Sequence, residues 1–268
     1  MIELLSITAV GFFLGMRHAT DPDHVIAVST IVSRQPKLGR AALIGAFWGL
    51  GHTMTILAVG AAIILFNLTI PARVGLSMEL SVGIMLMVLG IANVVSFFRS
   101  LPGSAVEGHA GAGAHSHHHS HGGYIHNHPH RHDPDVHPHA SNKTPVAALD
   151  RWLGRSGWSQ HIRPLAIGIV HGLAGSAAVA LLVLATIRNT QWALAYLLVF
   201  GVGTIAGMMV ITMSMASAIK VVGARSHRMS RRLAVASGVL SLAFGCVVVY
   251  QIGFVNGLFT NNPLWTPK

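Results

Sequence analysis

The chain has 268 residues, of which 52% are hydrophobic and only 10% charged, and its mean hydropathy is +0.58. Soluble domains carry about 25% charged residues, so this composition argues against a soluble fold and for a bilayer. The formal charge of +10 would suit a polyanion, but its distribution reads as membrane topology and excludes nucleic acid as a partner. A single cysteine, Cys246, excludes an internal disulfide and redox relay chemistry.

Six apolar stretches follow in chain order: Leu4–Ile31, Ala41–Phe66, Ser77–Phe98, Pro164–Ile187, Trp192–Ile219 and Leu233–Phe254. Each can cross a hydrocarbon core of about 30 Å, which takes about 20 helical residues. The first reads as a span rather than a cleaved leader, because Glu3 stands where basic residues would be and the apolar run continues past "RHAT". Fourteen of the eighteen Lys and Arg residues fall on one side of the resulting layout. They lie between spans two and one, four and three, and six and five. The positive-inside rule places that side in the cytoplasm and both termini outside. The expectation is an all-α integral membrane protein with six transmembrane helices.

The two halves resemble each other. A shift of 153 residues lays "GMRHATDPDHVIAV" (15–28) on "GIVHGLAGSAAVAL" (168–181), so that His18 meets His171 and Gly15 meets Gly168. At nearly the same shift "WGLGHT" (48–53) meets "FGVGTI" (200–205), and "GIMLMVLG" (83–90) meets "GVLSLAFG" (238–245). Three spans per unit is an odd number, so the second unit enters from the opposite face. This predicts two inverted three-helix repeats, 1–98 and 164–268, joined by a loop over 99–163, with a binding site near the midplane. Small-residue spacings suit close helix packing: Gly11 with Gly15, Gly45 with Gly49, Gly203 with Gly207.

The first span carries Arg17, His18, Asp21, Asp23 and His24. An Asp at the centre of a membrane helix costs roughly 2.5–3.5 kcal/mol, so the pair needs compensation. In an unbroken helix His18, Asp21 and His24 share one face and Asp23 points away. Pro22 disturbs that geometry, since it has no N–H for the His18 carbonyl and its ring crowds it. The expected kink gathers imidazole, carboxylate and a freed carbonyl around one point. Imidazole nitrogen with carboxylate oxygen suits a divalent nickel, cobalt or zinc ion better than calcium or magnesium. His52 at the middle of the second span and His171 at the repeat position of His18 extend the candidate metal set, which is His18, Asp21, Asp23, His24, His52 and His171. The competing reading is a structural network in which Arg17 neutralises an aspartate.

"RHATDPDH" resembles the H-x4-D-H signature of the NiCoT-type nickel/cobalt transporters, carried here by His18, Asp23 and His24. "GLGHT" (49–53) is similar to that family's following-helix motif, and "VHGLAGSAA" (170–178) looks like the motif of its shorter relatives, the urease-accessory membrane proteins. Larger NiCoT members have eight spans, so this chain lacks two of them. The Asp21-Pro22 pair also resembles the acid-Pro pair of nickel/cobalt efflux proteins. The resemblance implies a secondary transporter in a bacterial cytoplasmic (inner) membrane that moves nickel or cobalt, in the direction of uptake. The alternatives are efflux by proton exchange, and a non-transporting protein that hands nickel to metalloenzyme maturation partners.

Between the third and fourth spans, residues 109–140 hold twelve of the eighteen histidines among Gly, Ser, Asn and Pro. Such composition buries little apolar surface, so a disordered, metal-binding cytoplasmic loop is expected. No G-x-x-x-x-G-K-[ST] loop is present for ATP and no H-E-x-x-H for a metalloprotease. The chain is therefore read as no enzyme, with no permanently bound cofactor. Its expected partners are the transported ion and the lipid bilayer.

Overall fold

The computed structural model describes residues 2–33, 37–68, 70–99, 115–121, 124–130, 159–187 and 189–265. The helices are α1 (Ile2–His18), α2 (Pro22–Val32), α3 (Leu38–Phe66), α4 (Ala72–Arg99), α5 (Ser159–Thr186), α6 (Thr190–Arg225) and α7 (His227–Tyr250). A π turn, Gln251–Val255, continues α7. Among the described residues four helical stretches are long and apolar enough to cross a membrane: Leu38–Phe66, Ala72–Phe98, Thr190–Ala224 and Arg231–Val255. Large apolar side chains such as Leu50, Met54, Val202 and Val247 stand exposed along these helices. Water would penalise that surface and hydrocarbon would not.

The expected first span is two helices. α1 stops at His18, Ala19 to Asp21 form a non-helical link, and Pro22 opens α2 as its first residue, where a missing N–H costs nothing. The His18 carbonyl is not free, contrary to the sequence expectation: the Asp21 N–H donates to it at 3.1 Å. The break thus satisfies its own backbone and still redirects the chain.

Small residues set the helix contacts. A methyl group built on Gly15 of α1 would strike the Phe200 carbonyl oxygen of α6 and lie 2.9 Å from the Thr204 nitrogen. One built on Gly168 of α5 would strike the Trp48 carbonyl oxygen of α3 and lie 2.9 Å from the His52 nitrogen. Gly203 meets Phe12, and Gly51 meets Leu165, in the same backbone-on-backbone fashion. In lipid, where apolar burial supplies little drive, such approach is what holds helices together. Threonines on these seams are satisfied: Thr53 Oγ1 donates to the Gly201 carbonyl and Thr55 Oγ1 to that of Ile169, both at 3.1 Å.

α4 and α7 form a second seam. Asn93 Nδ2 donates to the Ala234 carbonyl at 2.9 Å and to Ser237 Oγ at 3.3 Å, and Ser241 Oγ donates to the Leu86 carbonyl at 2.9 Å. Asn93→Ala is expected to cost about 0.6–1.7 kcal/mol, read as an earlier midpoint in SDS unfolding from mixed micelles. α2 lies between this pair and the rest, with Thr30 Oγ1 donating to the Ser237 carbonyl at 3.3 Å. Past the π turn the chain folds back on α4, where Trp265 Nε1 donates to Glu79 Oε1 at 2.9 Å.

One boundary and one loop segment differ from the sequence reading. α5 begins at Ser159, so Pro164 lies inside the helix rather than at its start. Its first helical turns carry polar residues that a hydropathy window does not count as membrane. Within the loop expected to be disordered, β1 (His115–His121) and β2 (Tyr124–His130) pair antiparallel, aligning His115 with His130, His117 with His128 and His119 with His126. The rest of the loop, including its other histidines, lies outside the described residues.

Candidate metal centre

The break after His18 decides which side chains meet. α1 delivers His18 from its C-terminal end, α2 delivers Asp23 and His24 from its first turn, α3 contributes His52 and α5 contributes His171. His24, His52 and His171 are buried, at 1%, 0% and 1% exposure. All six candidate residues come together. Asp23, which an unbroken helix would turn away, faces His24 and His171 because the helix breaks after His18 and restarts at Pro22.

The polar contacts form two short chains, Asp21–His18–His52 and His24–Asp23–His171. Asp21 Oδ2 lies 2.8 Å from His18 Nδ1, and His18 Nε2 lies 3.0 Å from His52 Nε2. Asp23 uses both carboxylate oxygens: Oδ1 accepts from the His24 backbone N–H at 3.0 Å and faces His24 Nδ1 at 3.1 Å, while Oδ2 faces His171 Nε2 at 3.0 Å. The rings crowd accordingly, with His24 centroid distances of 4.8 Å to His18, 5.0 Å to His52 and 4.1 Å to His171.

Nitrogens remain unused. His24 Nε2, His52 Nδ1 and His171 Nδ1 are buried with no hydrogen-bond partner. An unpartnered buried polar atom costs roughly 1–3 kcal/mol, so three in one cluster mark a place built for something other than the apo fold. Two groups have ligand atoms all within 4.8 Å of one another: His18, His24 and His52, and Asp23, His24 and His171. The Asp23 and Asp21 side chains keep 31% and 47% of their surface open, against 2% for His24 and 16% for His18.

The two aspartates differ. Asp21 touches only His18 among the candidates, on the nitrogen opposite the one that faces His52, which is the placement of a carboxylate that orients a ligand. Asp21→Asn is expected to weaken metal binding about 10–100-fold without abolishing it, measured by equilibrium binding to the purified protein. Arg17 is exposed, and among the described residues it pairs with neither aspartate. Its role in the network reading is therefore not realised.

Sequence reasoning missed the walls. Trp48 is fully buried, lies 6.2 Å from His24 in a stacked arrangement and 5.6 Å from His171 edge-on, and its Nε1 has no partner. The Phe200 ring packs 5.5 Å from His18. Trp48 stands four residues before His52, hence on the same helix face, and that spacing was the available signal.

The chain is 36% identical over 258 residues to the urease accessory protein UreH of Bacillus sp. (strain TB-90), an alignment that covers 96% of each. No family model matches the chain, and no solved structure matches it.

Proposed function

The chain belongs to the family of urease accessory protein UreH, and from that premise we propose that it is a secondary transporter carrying nickel or cobalt ions inward across the cytoplasmic membrane. The observation that carries this reading is the ring of four imidazoles and Asp23, gathered from four helices, with three buried nitrogens lacking partners. Nitrogen-rich, oxygen-poor ligation favours borderline ions of the later first transition series. The accessory role in the relative's name fits nickel as the cargo, since urease is a nickel enzyme.

Six spans arranged as two inverted repeats give the ring its place. Gly15 against Phe200 and Gly168 against Trp48 are the same contact under the offset that aligns the halves, and so are Gly203 against Phe12 and Gly51 against Leu165. A seam repeated in this way supports a site at the repeat interface, reached alternately from each face. With the basic loops in the cytoplasm, an inside-negative potential acts on a divalent ion with about 4.6 kcal/mol per 100 mV, twice the unit-charge value. The field favours entry without ATP. The twelve histidines between α4 and α5 then stand on the receiving side.

The test is flux into proteoliposomes containing only this protein, under an imposed potential, with nickel, cobalt and zinc compared. Nickel or cobalt is expected to accumulate when the interior is negative, and His18→Ala to reduce the rate at least tenfold. Flux that needs an opposing proton gradient and runs outward would establish export instead. Absence of flux in protein that binds the ion would establish an accessory role without transport.

A further inference from the structure

The two donor groups in the ring overlap at one residue. His18, His24 and His52 form one, Asp23, His24 and His171 the other, and His24 alone belongs to both. Its two nitrogens are differently engaged. Nδ1 faces the Asp23 carboxylate, whose second oxygen faces His171, while Nε2 is buried with no partner.

We propose that the ring contains two successive cation positions, one of three imidazoles (His18, His24, His52) and one of a carboxylate and two imidazoles (Asp23, His24, His171), and that His24 hands the ion from one to the other. The inference rests on the transport reading above. A neutral imidazole carries one proton and one lone pair, on different nitrogens. With the proton on Nδ1 and donated to Asp23, the Nε2 lone pair serves the first position. With the proton on Nε2, the Nδ1 lone pair serves the second. The tautomers interconvert by exchange with water, Nδ1 releasing its proton past the solvent-open Asp23 carboxylate as Nε2 takes one up, so the imidazole carries one proton at each position and the hand-off changes no net charge. One lone pair also means one ion at a time. The positions differ chemically, since the first offers only neutral nitrogen and the second adds an anionic oxygen. They are therefore distinguishable by the spectrum of the ion they hold.

The experiment uses the full chain with Co2+ as probe, because its visible absorption reports ligand type and geometry. Binding by the His-rich loop is common to all variants and cancels in differences against His24→Gln. Wild type is expected to hold one Co2+ per chain more than His24→Gln. Asp23→Asn and His171→Gln should each keep that ion, with an all-nitrogen spectrum, and lose at least tenfold in proteoliposome flux. His52→Gln should also keep it, with a mixed nitrogen–oxygen spectrum, and lose flux to a similar extent. Any variant that does not elute from size exclusion as wild type does is replaced by the asparagine or serine exchange at the same position. If all three variants lose the ion together with His24→Gln, there is a single site and the two-position inference fails, although the loss of flux leaves transport standing. Two extra Co2+ per wild-type chain would likewise overturn the one-at-a-time hand-off. Wild-type flux in His24→Gln would also overturn the hand-off and leave transport standing, whereas absence of flux in the wild type would remove the transport reading itself.

Discussion

Leucine in place of Gly168 or Gly15 is expected to prevent the helices from assembling, with a loss of about 3 kcal/mol or more in each case. At both positions the added side chain meets backbone: the Trp48 carbonyl for Gly168 and the Phe200 carbonyl for Gly15. A flexible neighbour could swing aside, but a carbonyl in mid-helix moves only with its helix. Separating α3 from α5 also pulls His52 from His171, and separating α1 from α6 shifts His18. Gly39→Leu supplies the control, since nothing lies within 4 Å of a methyl at that position and leucine is the better helix former. Thermal unfolding in detergent should therefore show Gly39→Leu at or above the wild-type midpoint, and both core variants aggregated or unfolded. Equal tolerance at all three positions would mean that the seams are not packed as described.

The second large effect separates Asp23 from Arg17. Asp23→Ala removes the acceptor shared by His24 and His171 and leaves two more buried ring nitrogens and the His24 backbone N–H without that partner, at roughly 1–3 kcal/mol each. It also removes the one carboxylate that the ring shares between two imidazoles. Metal flux is expected to fall below detection in proteoliposomes. Arg17 is exposed and bonded to neither aspartate, so Arg17→Gln should keep flux within about twofold of wild type. If the intramembrane acids were there to pair with Arg17, the two substitutions would instead damage the protein alike. A circular dichroism spectrum of each purified variant separates lost ligation from lost fold.

Much of this architecture is legible in the sequence. The apolar runs that became α3, α4, α6 and α7 are legible because hydrocarbon demands about 20 apolar residues whatever the packing. Pro22 marked the break in the first run, and the spacing of His18, Asp21 and His24 placed them near one another. What could not be read was the direction in which the broken chain resumes. That direction turns Asp23 inward and leaves Asp21 at the rim, the reverse of what an unbroken helix gives. The start of α5 was misjudged because Ser159 to Arg163 are polar and hydropathy sees composition rather than hydrogen bonding. Pairing within the histidine tract escaped because its residues carry no alternation of apolar and polar character. Contacts such as Trp265 with Glu79 join distant segments and leave no local trace.

The three-residue gap between α1 and α2 has a mechanical consequence. α2 is fastened to α7 through Thr30 and Ser237, whereas His52 and His171 ride on α3 and α5, locked to each other through Gly168 and Gly172. A tilt of the α4–α7 pair would therefore drag Asp23 and His24 as a lever drags its tip, with the link at Ala19 to Asp21 as fulcrum. Pro22 is thus the place where motion at the edge of the bundle becomes a small displacement at its centre.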